Sequence, residues 1–170
     1  LGNITNYSSP KQVGALTNWS SVSCGVEFAI SIKTDGTLWS WGRSFYGQLG
    51  LGNKTSYSSP KQVGALTNWS SVACGDSYTV SIKTDGTFWA WGNNNLGQLG
   101  LGNKTDYNSP KQVGALTNWS SVACGNDHTV SIKTDGTLWS WGNGSAGDLG
   151  LGNLTDYSSP KQVGLSLIHI

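Results

Sequence analysis

Apolar and polar positions alternate with a period of two at three places fifty residues apart. In the third copy, His128–Thr134 (HTVSIKT) sends Val130 and Ile132 one way and Thr129, Ser131 and Lys133 the other. That is the pattern of a half-buried β-strand. Asp135-Gly136 follows and reads as a two-residue hairpin turn, which requires positive φ at both central residues. Thr137–Gly142 (TLWSWG) is the returning strand, with Trp139 and Trp141 on one face and Leu138 and Ser140 on the other. Large residues on one face and smaller ones on the other predict a sheet covered on both sides. Trp119–Gly125 (WSSVACG) precedes the pair as a first short strand. Pro160–Val163 (PKQV) follows as a fourth, its leading Pro suiting a strand start or a sheet edge. No helical periodicity appears.

The same four segments recur as a tandem repeat. Residues 1–50 and 51–100 differ at 14 positions, and 51–100 and 101–150 at 11; another copy begins at Leu151. A tandem four-stranded antiparallel sheet is the unit of a β-propeller blade. The chain is therefore expected to be all-β: a partial propeller, an open arc of about three blades over residues 19–63, 69–113 and 119–163. Residues 10–13 would be the outer strand of a preceding blade. Small residues on the first strand (Ser121, Ala123, Cys124, Gly125) suit crowding near a hub, and the Trp pairs on the third strand suit the wider gap farther out. A β-solenoid is the alternative architecture, but its turns are usually shorter and lack the tight hairpin.

Two stretches carry a family resemblance. Trp91–Asn103 (WGNNNLGQLGLGN) and Ser121–Gly136 (SVACGNDHTVSIKTDG) resemble the signatures of the regulator of chromosome condensation repeat. The resemblance covers residues 1–164. It implies a seven-bladed propeller, of which three blades are about three-sevenths; propellers close with typically about 4–8 blades. Missing repeats of the same chain would then be needed to close the ring, and the exposed blade faces predict poor solubility or self-association of the piece alone. The lack of Met also reads as a missing start, and Leu165–Ile170 (LSLIHI) as a non-native tail resembling a translated sequencing adapter, so His169 is set aside.

Differences between copies fall mostly in two windows. One is Val26–Ile30 with its counterparts, and the other is Arg43–Tyr46 with its own. Together they hold nine of the 14 differences in the first comparison and six of the 11 in the second. Alternating strand direction places both windows on one rim, with the Asp-Gly turn and the LTNW connection on the other. Scaffolds commonly bind through loops held by rigid sheets. The varied rim is therefore the expected protein-binding face, with Glu27, Phe28, Arg43, Phe45, Tyr46, Tyr78, Leu96, Asp127 and His128 as contacts.

Composition narrows the function. Charged residues are only 11% of the chain and the net charge is +1, which does not favour a nucleic-acid partner. The longest apolar runs are a few residues, too short for a membrane span. Low charge with Asn, Ser and Thr richness leans toward an extracellular or surface setting. Cys24, Cys74 and Cys124 share one repeat position and read as small, buried, reduced side chains rather than a disulfide or zinc pattern. Asp35, Asp85 and Asp135 read as turn residues. His128 lacks the companions a metal site or catalytic triad needs. The Gly-rich loop has no phosphate-binding G-x-x-x-x-G-K-[ST] pattern, and no cofactor is expected. Asn18, Asn68 and Asn118 match a glycosylation pattern only as copies of one motif. A light-sensing relative uses Trp within G-W-R-H-T, whereas the matching places here read GNDHT (Gly125–Thr129) and GDSYT (Gly75–Thr79). The chain reads as a non-catalytic binding scaffold. From the family come two alternatives, a nucleotide exchange factor or regulator of a small GTPase and a secreted enzyme inhibitor.

Overall fold

The computed structural model describes residues 2–164, so the tail reading of Leu165–Ile170 lies outside the described residues. Twelve strands form three four-stranded antiparallel sheets. The first holds β1 (Trp19–Gly25), β2 (Phe28–Lys33), β3 (Leu38–Gly42) and β4 (Tyr57–Gln62). The second holds β5 (Trp69–Cys74), β6 (Tyr78–Lys83), β7 (Phe88–Gly92) and β8 (Tyr107–Gln112). The third holds β9 (Trp119–Cys124), β10 (His128–Lys133), β11 (Leu138–Gly142) and β12 (Tyr157–Gln162). Strands lie in chain order within each sheet, and every neighbouring pair is antiparallel. The described residues contain no helix. The sheets are propeller blades in an open arc, not the parallel stack of a solenoid.

Blade two is covered on both faces by its neighbours, and blades one and three on one face each. The face of blade two that bears Tyr78, Val80, Ile82, Phe88 and Ala90 packs on Trp119 and Trp141 of blade three. In the same way Phe28, Ile30, Ile32 and Leu38 pack on Trp69 and Trp91 of blade two. Burial tracks the presence of that neighbour. Ile32 and Leu38 are 2% and 0% exposed, but their counterparts Ile132 and Leu138, on the outward face of blade three, are 40% and 38% exposed.

The Gly-rich loop between the third and fourth strands clasps the next blade. The Gln48 carbonyl accepts hydrogen bonds from Trp91 Nε1 at 2.9 Å and Thr79 Oγ1 at 2.8 Å. The Gln98 carbonyl receives the same pair from Trp141 and Thr129. Leu49 and Leu99 anchor the loop at 0% exposure. Gly100 has φ +73°, and a Cβ there would stand 2.7 Å from Trp141 Nε1, so the turn needs glycine twice over.

Three expectations change on contact with the structure. The hairpin after β2 is a three-residue loop, not a two-residue one. Lys33 N donates to Thr37 O and Gly36 N to Lys33 O. Gly36 has φ +76°, whereas Asp35 is not in the positive-φ region. This is a type I turn closed by a left-handed glycine. The Asp35 carboxylate accepts from Thr37 N and Oγ1, and Thr37 Oγ1 accepts from Trp39 Nε1, which ties the turn to the strand. The outer strand starts at Tyr57, Tyr107 and Tyr157, three residues before the Pro expected to open it. A register shift between Ser40 and Gly42 opposite β4 makes room for Pro60, which has no donor to lose. Residues 10–13 form no strand among the described residues, having no ladder neighbour to pair with.

Candidate functional site

The loops after β1 and β3 meet on one rim. Arg43 N donates to Glu27 O, Asn93 N to Ser77 O and Asn143 N to Asp127 O, at 2.8–3.0 Å. The opposite rim joins the hairpin turn to the linker, with Trp69 N donating to Gly36 O and Thr34 N to Asn18 O. A backbone relay also crosses the blades near the hub. Val26 N donates to Asp76 O and Asp76 N to Asn126 O, both at 3.1 Å.

The nine candidate residues separate by exposure. On blade one, Glu27 and Arg43 form an ion pair, and the guanidinium lies 4.1 Å from the Phe45 ring centroid. Phe45 is 58% exposed and Tyr46 37%. Glu27 has φ +62°, a left-handed conformation held by its backbone bond to Arg43. Leu96 of blade two is half-buried. On blade three Asp127 and His128 are half-buried, with His128 Nδ1 3.8 Å from Asp148 Oδ2. Burial and the charge of Asp76 raise the Asp127 carboxyl above the usual range, against a lowering by His128.

Phe28 and Tyr78 are not on this surface. They are 4% and 0% exposed and fill the space over Gly25 and Gly75 between blades. The Tyr78 hydroxyl donates to His128 O in the next blade. Their place at a strand start, before a varied loop, made them look accessible; the following blade covers them. The rim also gains Asp76 and Asp148, which the sequence reading did not select. The substitution of Gln48 and Gln98 by Asp148 at one repeat position was the available signal.

The other candidate chemistries take structural roles. Cys74 and Cys124 are half-buried free thiols, and burial pushes both up to about 12; Cys24, expected to be buried, is exposed because no blade precedes it in the described structure. The three line a small hub cleft of about 190 Å³. Among the described residues no group of three or more His, Cys, Asp or Glu could hold a metal ion, and no helix is long and apolar enough to cross a membrane. The Asn18, Asn68 and Asn118 side-chain carbonyl oxygens are buried, at the linker that meets the hairpin.

Three blades clasped through Trp and a Gly-rich loop, with their loops gathered on one rim, define a β-propeller of repeat type. The chain belongs to the regulator of chromosome condensation (RCC1) repeat family, matched over residues 35–82, 85–132 and 135–168. A second form of the same repeat matches 19–48, 69–98 and 119–148. Human WBSCR16 is similar at 26% identity and a TM-score of 0.77 over 86% of this chain. Prp20p of Saccharomyces cerevisiae, whose structure was described with its binding properties to Gsp1p and histones, is similar at 22% identity and a TM-score of 0.80 over 89% of this chain. The chain spans 38% and 39% of those two chains, respectively.

Proposed function

We propose that this chain is part of a non-catalytic propeller scaffold that binds a protein partner through the rim carrying the loops after Gly25, Gly75 and Gly125 and after Gly42, Gly92 and Gly142. One observation carries the reading. The copies are nearly identical elsewhere, yet on this rim they present different exposed and half-buried chemistry: an Arg43–Phe45 stack, then Asn93 and Asn95, then Asp127, His128 and Asp148. Rigid blades hold these groups at fixed spacing, which lowers the ordering cost of binding. Arg and aromatic side chains are typical interface anchors.

A small GTPase is the second reading for the partner, favoured by the Gsp1p binding named for Prp20p. Alanine replacement of Arg43, Phe45 and Tyr46 in the complete protein, followed by affinity capture, tests the rim. Capture of the same partners by wild type and variant would refute it. Accelerated nucleotide release from a small GTPase would favour the second reading.

A further inference from the structure

The rim opposite the varied one holds a repeated cleft. Strands one and three start there and strands two and four end there. Between blades two and three, Val113 and Leu116 on one side and Trp119, Trp139 and Pro160 on the other enclose about 400 Å³, with Lys133 in the wall. Equivalent clefts of about 400 and 350 Å³ lie against Trp69 with Trp89 and Trp19 with Trp39. All twelve residues lining the cleft at Trp119 recur unchanged fifty positions earlier, while the other rim varies.

Lys133 lines the cleft at Trp119, and Lys83 and Lys33 lie over the Trp rings that wall the other two; none has an anionic partner among the described residues. Lys33, Lys83 and Lys133 are 7%, 6% and 6% exposed. Their ammonium groups lie 3.7–3.8 Å from the centroids of Trp39, Trp89 and Trp139, and 4.8–5.0 Å from those of Trp19, Trp69 and Trp119. Among the described residues no carboxylate stands within ion-pair distance of them, and no acceptor takes their hydrogen bonds. The carboxylate two residues on, Asp135 in blade three, is engaged by Thr137 N and Oγ1. Indole faces attract a cation but leave its N–H donors unmatched. An ammonium group held on a packed stem beside apolar walls, with no acceptor among the described residues and its nitrogen still reached by solvent, is complementary to a carboxylate next to an apolar group.

We propose that these inter-blade clefts bind an acidic peptide segment, an apolar side chain entering between Leu116 and the Trp walls while the neighbouring carboxylate pairs with the lysine. Repetition on successive blades lets one extended segment engage more than one cleft, which multiplies affinity without new kinds of contact.

The test uses the full chain and a fluorescein-labelled peptide of alternating Asp and Leu, read by fluorescence polarisation. The wild type binds this peptide saturably and discriminates against an Asn-Leu peptide and an Asp-Ser peptide. Replacing Lys33, Lys83 and Lys133 together by Met keeps the stems over the indoles and weakens binding by about tenfold or more, the scale of a lost charge-assisted hydrogen bond. A second variant, Leu16→Ser with Leu66→Ser and Leu116→Ser, alters half-exposed positions that carry little of the core and weakens binding independently of the lysines. Arg43→Ala on the other rim leaves it unchanged, which separates this surface from the rim reading. The proposal is overturned if wild type shows no saturable binding, if both cleft variants bind as wild type does, or if the protein binds phosphatidylserine vesicles and not the peptide.

Discussion

Trp91 and Trp41 occupy the same place in successive blades and differ in what lies in front of them. Trp91 is 0% exposed, packed on Phe28, Leu38 and Leu49 of blade one, with its ring centroid 5.9 Å from that of Trp69. Trp41 makes the same contact with Trp19, at 6.2 Å, but no described blade covers its far side and it is half-buried. Trp91→Ala removes a fully buried indole and leaves a cavity, a loss of about 3–5 kcal/mol. Its hydrogen bond adds little, because the Gln48 carbonyl keeps its bond from Thr79. Trp41→Ala forfeits only the covered part of the ring, about 1–2 kcal/mol at the usual apolar-area coefficient. Urea unfolding at low protein concentration, followed by far-ultraviolet circular dichroism, measures both. Trp91→Ala also weakens the contact between blades one and two, so blade one is expected to melt as a separate earlier phase. Equal losses for the two variants, or a single unchanged transition for Trp91→Ala, would refute the claim that stability resides in the inter-blade contacts.

The hairpin glycines offer an internal control, read by the same unfolding measurement. Gly36 and Gly136 have φ +76° and +81°, but a Cβ at Gly36 would stand 2.0 Å from Thr67 O, whereas at Gly136 nothing lies within 4 Å. Gly136→Ala is expected to cost about 1–2 kcal/mol from backbone strain alone, and Gly36→Ala distinctly more. The hydrogen bonds from Thr37, Thr87 and Thr137 hold the Asp35, Asp85 and Asp135 carboxyls below their ordinary value. The turn stabilisation they provide is therefore complete above the unfolded carboxyl range, about pH 4, and is lost as pH falls through the lower folded values. Carboxyl titration by NMR checks this, with Thr37→Val moving Asp35 up toward its ordinary value while the Thr37 backbone bond keeps part of the lowering. Iodoacetamide at mildly alkaline pH should label exposed Cys24 well before Cys74 and Cys124, whose thiols stay protonated; mass spectrometry reads the order.

Much of the architecture was legible because it is local and repeated. Alternation along His128–Thr134, the Trp pair two residues apart on the third strand and the fifty-residue period are all properties of short stretches. They led to four-stranded blades and to the rim that gathers the varied loops. Details that depend on backbone dihedrals were not legible. Asp-Gly serves a two-residue turn and the closing half of a three-residue one equally well, and only the extra residue, Thr34, distinguishes them.

What a neighbour fifty residues away covers could not be read from the chain. Phe28 and Tyr78 have the composition of an interface and the location of a varied loop, yet the adjoining blade buries them. Lys33, Lys83 and Lys133 look like ordinary solvent-facing strand residues in the alternating pattern. The structure instead lays their ammonium groups across tryptophan faces in the wall between blades. Periodicity reports which side of a strand a residue occupies. Whether that side meets water, a core or a cleft depends on the stacking of separate sheets, and that is a long-range property of packed surfaces.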